Sequence, residues 1–193
     1  LVMTSGLRKR LVEYLSSSHL ESISFIWGKL ARKRGVVKGL ATDLVIPTDD
    51  DYERRSWGNV KVSQEFVNRE FEKPERKGLS LLATIHSQPL IEPTHGDIGT
   101  HLNVVKFFPD QLTGTYCAGQ LNFFRHNPER GMERVHYTVV EIGRYDRQVL
   151  AWGEESQLLV SSSCIALIGC GGGGAKMASD LAAMGVRRLK ICD

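Results

Sequence analysis

The sequence predicts a mixed α/β chain in two units: an α/β front domain, then the opening βαβ portion of a parallel sheet of nucleotide-binding type. Three observations carry that expectation. The apolar run Cys164-Ile165-Ala166-Leu167-Ile168 leads into Gly169-Cys170-Gly171-Gly172-Gly173-Gly174. That is the strand, glycine turn and helix start that let a backbone approach phosphate. Asp193 stands about twenty positions further on, where the end of the next strand comes within reach of a ribose. Ahead of these residues, strand-like runs and helical segments follow one another, as a mixed α/β domain requires.

Taken in order, Leu7, Leu11 and Leu15 recur at helical spacing within the basic stretch 7–15, which predicts an amphipathic helix ended by Ser16-Ser17-Ser18. Residues 22–27 and 36–47 read as strands around the turn-prone, basic segment 32–35. The triplet Asp49-Asp50-Asp51 reads as a solvated loop rather than a metal site. Ser63 and Glu65 open a helix over 63–71, with Phe66 and Phe71 on its apolar side. Residues 79–85 form an apolar run suited to a central strand, and an acid at Asp97 opens a helix over 97–105. Further strands are expected at 114–124 and 135–142, joined by the polar loop 125–132. The domain boundary falls at Gly143, giving 1–142 and 143–193.

The composition, 41% hydrophobic and 24% charged, is that of a globular protein. A net charge of +3, with Lys and Arg scattered among acids at Arg54-Arg55, Lys73 and Arg76-Lys77, predicts a solvated surface and no nucleic-acid partner. No apolar run approaches a membrane span, so no membrane partner is expected. Cys117, Cys164, Cys170 and Cys192 form no C-x-x-C pair, which predicts reduced, buried thiols in a cytoplasmic protein. A first residue of Leu rather than Met leads us to expect a fragment of a longer protein.

By itself the Gly169-x-Gly171-x-x-Gly174 pattern fits an NAD-binding turn as well as an ATP-binding one. The doublet Gly171-Gly172 and the segment Arg144-Tyr145-Asp146-Arg147-Gln148 add detail. With Gly153, Gln157-Leu158 and the stretch 181–186, they make residues 144–193 resemble the ThiF/MoeB-like adenylyltransferases, the superfamily of the ubiquitin-activating enzymes. The resemblance implies the first βαβ portion of a Rossmann-like ThiF domain using ATP with Mg. The C-terminal glycine carboxylate of a ubiquitin-like protein would attack the α-phosphate, leaving an acyl-adenylate and pyrophosphate. It implies that Gly169, Gly171, Gly172 and Gly174 cradle phosphates, that Arg147 reaches a nucleotide phosphate across a homodimer interface, and that Asp193 holds the ribose. Arg144 and Arg147 could instead pair with Asp146 or Glu154 on a helix surface, and Lys176 reads as a surface residue. The family's other catalytic groups would lie beyond Asp193, so adenylation is expected of a parent protein rather than of these residues alone.

In the front half, His86-Ser87-Gln88-Pro89 leaves a central strand and Thr94-His95-Gly96-Asp97 follows at once. A histidine at a strand end and an aspartate at a helix start suit a metal. Residues 7–142 resemble the JAB/MPN (JAMM) metalloprotease domain, in which His-x-His-Pro precedes Ser-x-x-Asp and a glutamate lies far upstream. The resemblance implies an MPN-like mixed α/β fold, zinc held by His86 and Asp97, Glu21 as general base, and Thr94 steadying an oxyanion. The departure is Gln88, since an amide oxygen is a poor zinc ligand beside imidazole. Three readings stay open. The domain binds a ubiquitin-like tail without catalysis; or His95 or His101 replaces the missing ligand; or the motif is accidental. A fused MPN-like and ThiF-like pair would trim and activate the same C-terminal glycine. Its rivals are an NAD-dependent enzyme, in which 144–148 would have no role, and a non-catalytic scaffold.

Overall fold

Strand β1 (Val2–Thr4) runs directly into helix α1 (Ser5–Ser16), and Thr4 makes the switch. Its hydroxyl accepts from the Leu7 amide at 3.0 Å, satisfying one of the open N–H groups of the first turn. In this computed structural model residues 1–33, 36–73, 76, 78–140 and 143–193 are described, without the side chains of Lys33, Arg144, Asp146, Arg147, Leu150 and Glu154. Long strands β2 (Ile23–Lys33) and β3 (Val36–Val45) come next; Arg34 and Gly35 of the expected turn lie outside the described residues. A 3-10 turn at Asp49–Asp51 precedes β4 (Tyr52–Ser56), β5 (Asn59–Val62) and helix α2 (Gln64–Glu72). The chain continues through β6 (Ser80–Ser87), helix α3 (His95–Val104), β7 (Leu112–Cys117), β8 (Gln120–Asn127), β9 (Gly131–Val135) and β10 (Thr138–Val140). After a 3-10 turn at Gly143–Tyr145 come α4 (Asp146–Ser162), β11 (Cys164–Ile168), α5 (Gly172–Ala183) and β12 (Arg188–Cys192).

Eight strands form one mixed sheet in the order β10-β1-β3-β2-β6-β7-β8-β9. Alternation along β2 sends Ile26 to one face and Phe25 to the other, so the sheet has two apolar sides. On the first, Leu7, Leu11 and Leu15 of α1 meet Ile26, Ile85 and Phe123. On the second, Phe66 of α2 packs with Phe25, Trp27 and Leu81, and Phe71 and Phe108 cross Trp27 edge-on. The register of β2 shifts at Trp27/Gly28. A Cβ at Gly28 would lie 1.9 Å from the Leu40 carbonyl oxygen, so only glycine lets β3 approach there.

The mixed α/β class expected from the sequence is the one observed. Three strand readings need correction. Residues 114–124 are not one strand: β7 and β8 turn at Ala118 and Gly119, both with positive φ. The expected loop 125–132 is largely the paired ends of β8 and β9. The 135–142 run breaks at His136-Tyr137, and Glu141 and Ile142 lie outside the described residues. The β4–β5 hairpin was not foreseen.

Helix α4 bends at Gly153, whose φ of 86° and ψ of 158° are outside the helical region. Beyond the bend, Leu158 packs with Val2, Leu40 and Val140 of the front sheet. Lys29 and Glu155 add an ion pair at 2.8 Å. On its other side Gln157 donates to the Met184 carbonyl at 2.9 Å, so α4 sits between the eight-stranded sheet and the C-terminal βαβ unit. There β11 and β12 pair in parallel as a two-stranded sheet. Among the described residues β11 pairs with β12 alone, and its side chains alternate between half-covered and open, with Ile168 86% exposed. The thiols also differ from expectation. All four cysteines are free, but Cys164 and Cys192 are exposed and Cys117 and Cys170 half-buried.

Candidate functional site

Strands β6 and β7 are parallel neighbours joined by α3, so the end of β6 and the start of α3 meet at one edge of the sheet. His86 is delivered there by β6, and Asp97 by the first turn of α3. Helix α3 opens two residues before the expected start, because Thr94 rather than Asp97 is its N-cap. The Thr94 amide and hydroxyl both donate to Asp97 Oδ2 at 2.7 Å, and the Asp97 amide donates back to the Thr94 hydroxyl at 3.3 Å. This reciprocal capping box holds the carboxylate with Oδ1 toward the histidine. It also spends the one hydroxyl proton Thr94 could offer an oxyanion.

His86 Nε2 faces Gln88 Oε1 at 3.0 Å and Asp97 Oδ1 at 3.3 Å. The amide of Gln88 is fixed in orientation, since its nitrogen donates to the Leu90 and Glu92 carbonyls, both at 2.9 Å. Both oxygens facing Nε2 are acceptors, so Nε2 carries the proton and donates. The 3.3 Å separation is close to the edge of roughly 3.4 Å that two bonds of about 2.1 Å subtend at a tetrahedral ion. His86 and Asp97 are therefore spaced as two corners of such a site, and the third corner is an amide oxygen. Among the described residues no group of three or more His, Cys, Asp or Glu could hold a metal ion.

These groups open into a cleft of about 350 Å³ that Glu21 also lines. Burial raises the Glu21 carboxyl above its ordinary range; the positive charge of His86 opposes this and the negative charge of Asp97 adds to it. Glu21 thus shares the cleft with His86, Thr94 and Asp97, three of the other expected site residues. Of the two substitute histidines, His95 is exposed at the start of α3 and does not line the cleft. His101 does line it but is 2% exposed, with both ring nitrogens engaged. Its Nδ1 lies 2.8 Å from Gln111 Oε1, and its Nε2 accepts from the His126 amide at 3.4 Å. Gln111 uses its own nitrogen on Thr84 Oγ1 at 2.9 Å and on the Leu112 carbonyl, so its oxygen must be the acceptor. Burial holds the His101 pKa below its ordinary value, with Gln111 opposing and His126 adding to that effect.

Sequence reasoning missed Gln111, Thr84 and the β4–β5 hairpin, which brings Gly58, Asn59 and Val60 to the cleft. Arg55 ties that hairpin down by donating to the Glu21 carbonyl at 3.1 Å and the Ser22 hydroxyl at 2.6 Å. The available signal was Trp57-Gly58, a turn between two alternating segments; a lone glutamine such as Gln111 gives none.

The second candidate site is the glycine turn. Gly169 has φ +88°, and a Cβ on Gly174 would sit 2.0 Å from the Gly169 carbonyl oxygen, so the loop closes only with glycine at both positions. The positions of Gly171 and Gly172 face open space, and no side chain caps α5. Its first amides are left for a ligand or water. Asp193 follows β12 and accepts from the Cys170 amide at 2.8 Å, which places its carboxylate beside the turn. The side chains of Arg144 and Arg147, with the expected pairing to Asp146 or Glu154, lie outside the described residues. Lys176 is a surface residue paired with Asp180.

Residues 145–193 match the ThiF family. No curated protein matches this chain. Among solved structures, the protein DSY2949 from Desulfitobacterium hafniense is similar at 11% identity and a TM-score of 0.54, covering 72% of this chain and 92% of that one. That likeness is one of fold. A JAB1/MPN domain protein from Archaeoglobus fulgidus, AF2198, is 17% identical with a TM-score of 0.44, over 72% of this chain and 97% of its own. No helix among the described residues is long and apolar enough to cross a membrane.

Proposed function

We propose that the chain joins a ThiF-type nucleotide-binding portion to an MPN-like domain that receives the same substrate. The nucleotide portion takes ATP with Mg and serves adenylation of a ubiquitin-like protein's C-terminal glycine. The carrying observation is the cradle at Gly169–Gly174: an uncapped helix start facing open space with the Asp193 carboxylate beside it. The helix amides suit the phosphates, and Asp193 suits a ribose hydroxyl. The ThiF match over 145–193 supports ATP rather than NAD.

For the front cleft, the residues do not fit zinc. His86 and Asp97 are spaced as ligands, but the third corner is the Gln88 amide oxygen, a poor zinc ligand, and neither His95 nor His101 supplies a nitrogen in its place. The cleft is instead a receptor for an extended C-terminal tail. His86 and the Asp97–Thr94 pair would be its polar anchors.

Thermal denaturation with ATP–Mg and with NADH tests the nucleotide assignment. A ligand at a hundred times its Kd stabilises by about 2.7 kcal/mol, so ATP–Mg should raise the midpoint and NADH should not. Stabilisation by NADH alone would overturn the assignment. Purification in zinc followed by metal analysis tests the cleft. One zinc held tightly per chain, and lost in both His86→Ala and Asp97→Ala, would restore the metalloprotease reading.

A further inference from the structure

A cleft of about 300 Å³ opens where the front sheet, the end of α4 and the start of β12 meet. Lys38 of β3 comes from one side, Arg187 and Arg188 from the other, and Thr138 and serines 161–163 complete the wall. Cys164 pairs with Arg188 at the starts of β11 and β12, while the glycine turn follows their ends. The two sites are therefore separated by roughly 15 Å, the length of a five-residue strand.

The charge in this cleft is not balanced. Among the described residues no carboxylate lines it. Lys38 Nζ donates to the Ser162 carbonyl at 2.7 Å and Arg187 to the Val139 carbonyl at 3.3 Å. Arg188 has no hydrogen-bond or ion-pair partner among the described residues. One plain account is that these cations offset the α4 C-terminus. A helix end carries only about half a negative charge, however, which among the described residues leaves more than two positive charges uncompensated. Each cation spends at most one N–H on a carbonyl, so several donors remain. The hydroxyls of Ser162 and Ser163 donate back to the Leu159 carbonyl at 3.1 and 2.7 Å, so among the described residues the free donors are the cations with the Thr138 and Ser161 hydroxyls.

We propose that this cleft binds a small, multiply charged anion of the phosphate class, such as inorganic phosphate or pyrophosphate. Guanidinium forks match tetrahedral phosphate oxygens bidentately, and a lysine adds a point charge. The volume is at the low end for a small-molecule site, which suits pyrophosphate better than a nucleotide. Lys38 belongs to the front sheet and Arg187 and Arg188 to the βαβ unit. An anion between them removes their mutual repulsion and tightens the docking of the two. The inference stands apart from the assignment of the glycine turn.

The test is calorimetric titration and thermal denaturation of the full chain with magnesium-free pyrophosphate at fixed ionic strength. Wild type should show saturable binding and a raised midpoint. Arg188→Gln and Lys38→Gln/Arg188→Gln should each weaken binding about tenfold or more, as loss of charge-assisted hydrogen bonds does. Lys176→Gln, on the exposed face of α5, should bind as wild type. Arg188 has no partner to lose, so its substitution leaves the fold intact. Absence of saturable binding, or an affinity unchanged in both variants, overturns the proposal.

Discussion

Acidification should destabilise this protein through His101, a histidine that sequence reasoning weighed only as a substitute metal ligand. In the fold its ring is neutral: Nδ1 donates to Gln111 and Nε2 accepts from the His126 amide, with burial holding the pKa below the ordinary 6.5. A lowered histidine pKa means the unfolded chain binds the proton first. Stability from this group is therefore fully present above about pH 7 and is lost as pH falls below about 6.5. Between the two pKa values the unfolded state holds one more proton than the native state. Within that window the slope from His101 alone approaches about 1.4 kcal/mol per pH unit, the most that one proton can give. The comparison variant is His101→Gln, which keeps a donor and an acceptor but does not titrate. Urea unfolding of both chains at several pH values between about 7.5 and 5, followed by circular dichroism, isolates the histidine, because every other group titrates in both. A pH slope no steeper in wild type than in the variant would refute the neutral, doubly bonded ring.

Three further outcomes are expected. Gln88→His puts an imidazole beside His86 and Asp97, so zinc content after purification in zinc should rise from near none to about one per chain; wild-type protein already loaded would contradict this. Gly174→Ala drives a Cβ into the Gly169 carbonyl and should abolish the ATP–Mg thermal shift while near-ultraviolet circular dichroism of the front core is kept. An undiminished shift would remove the cradle from the nucleotide site. Leu11→Ala, at a fully buried position of α1, should cost about 2–5 kcal/mol by urea unfolding, and a cost under about 1 kcal/mol would mean the α1 face is not packed as described.

Legibility in the sequence followed how strongly each segment's pattern was forced by burial. Leu7, Leu11 and Leu15 point into one core, so their spacing gave away α1, and Cys164–Ile168 matched β11 to the residue. The β4–β5 hairpin stayed hidden because much of it is charged and exposed, and it is held by Arg55 and by Tyr52 meeting Tyr14 at 2.5 Å across the fold. No local pattern encodes such distant contacts. The β7–β8 turn was missed because Ala118 takes a positive φ that its residue type rarely adopts. At the site, His86 and Asp97 were legible as a motif. The sense of the cluster rested on the rotation of the Gln88 amide, which two carbonyls fix only in three dimensions.

The two-stranded sheet of β11 and β12 bears on which surfaces of the nucleotide portion are built to be covered. Its strands carry Ile168 and Ile191, 86% and 49% exposed, and each strand has one partner among the described residues. Parallel strands are ordinarily buried on both faces, so these isoleucines mark where a further layer of sheet or helix would pack.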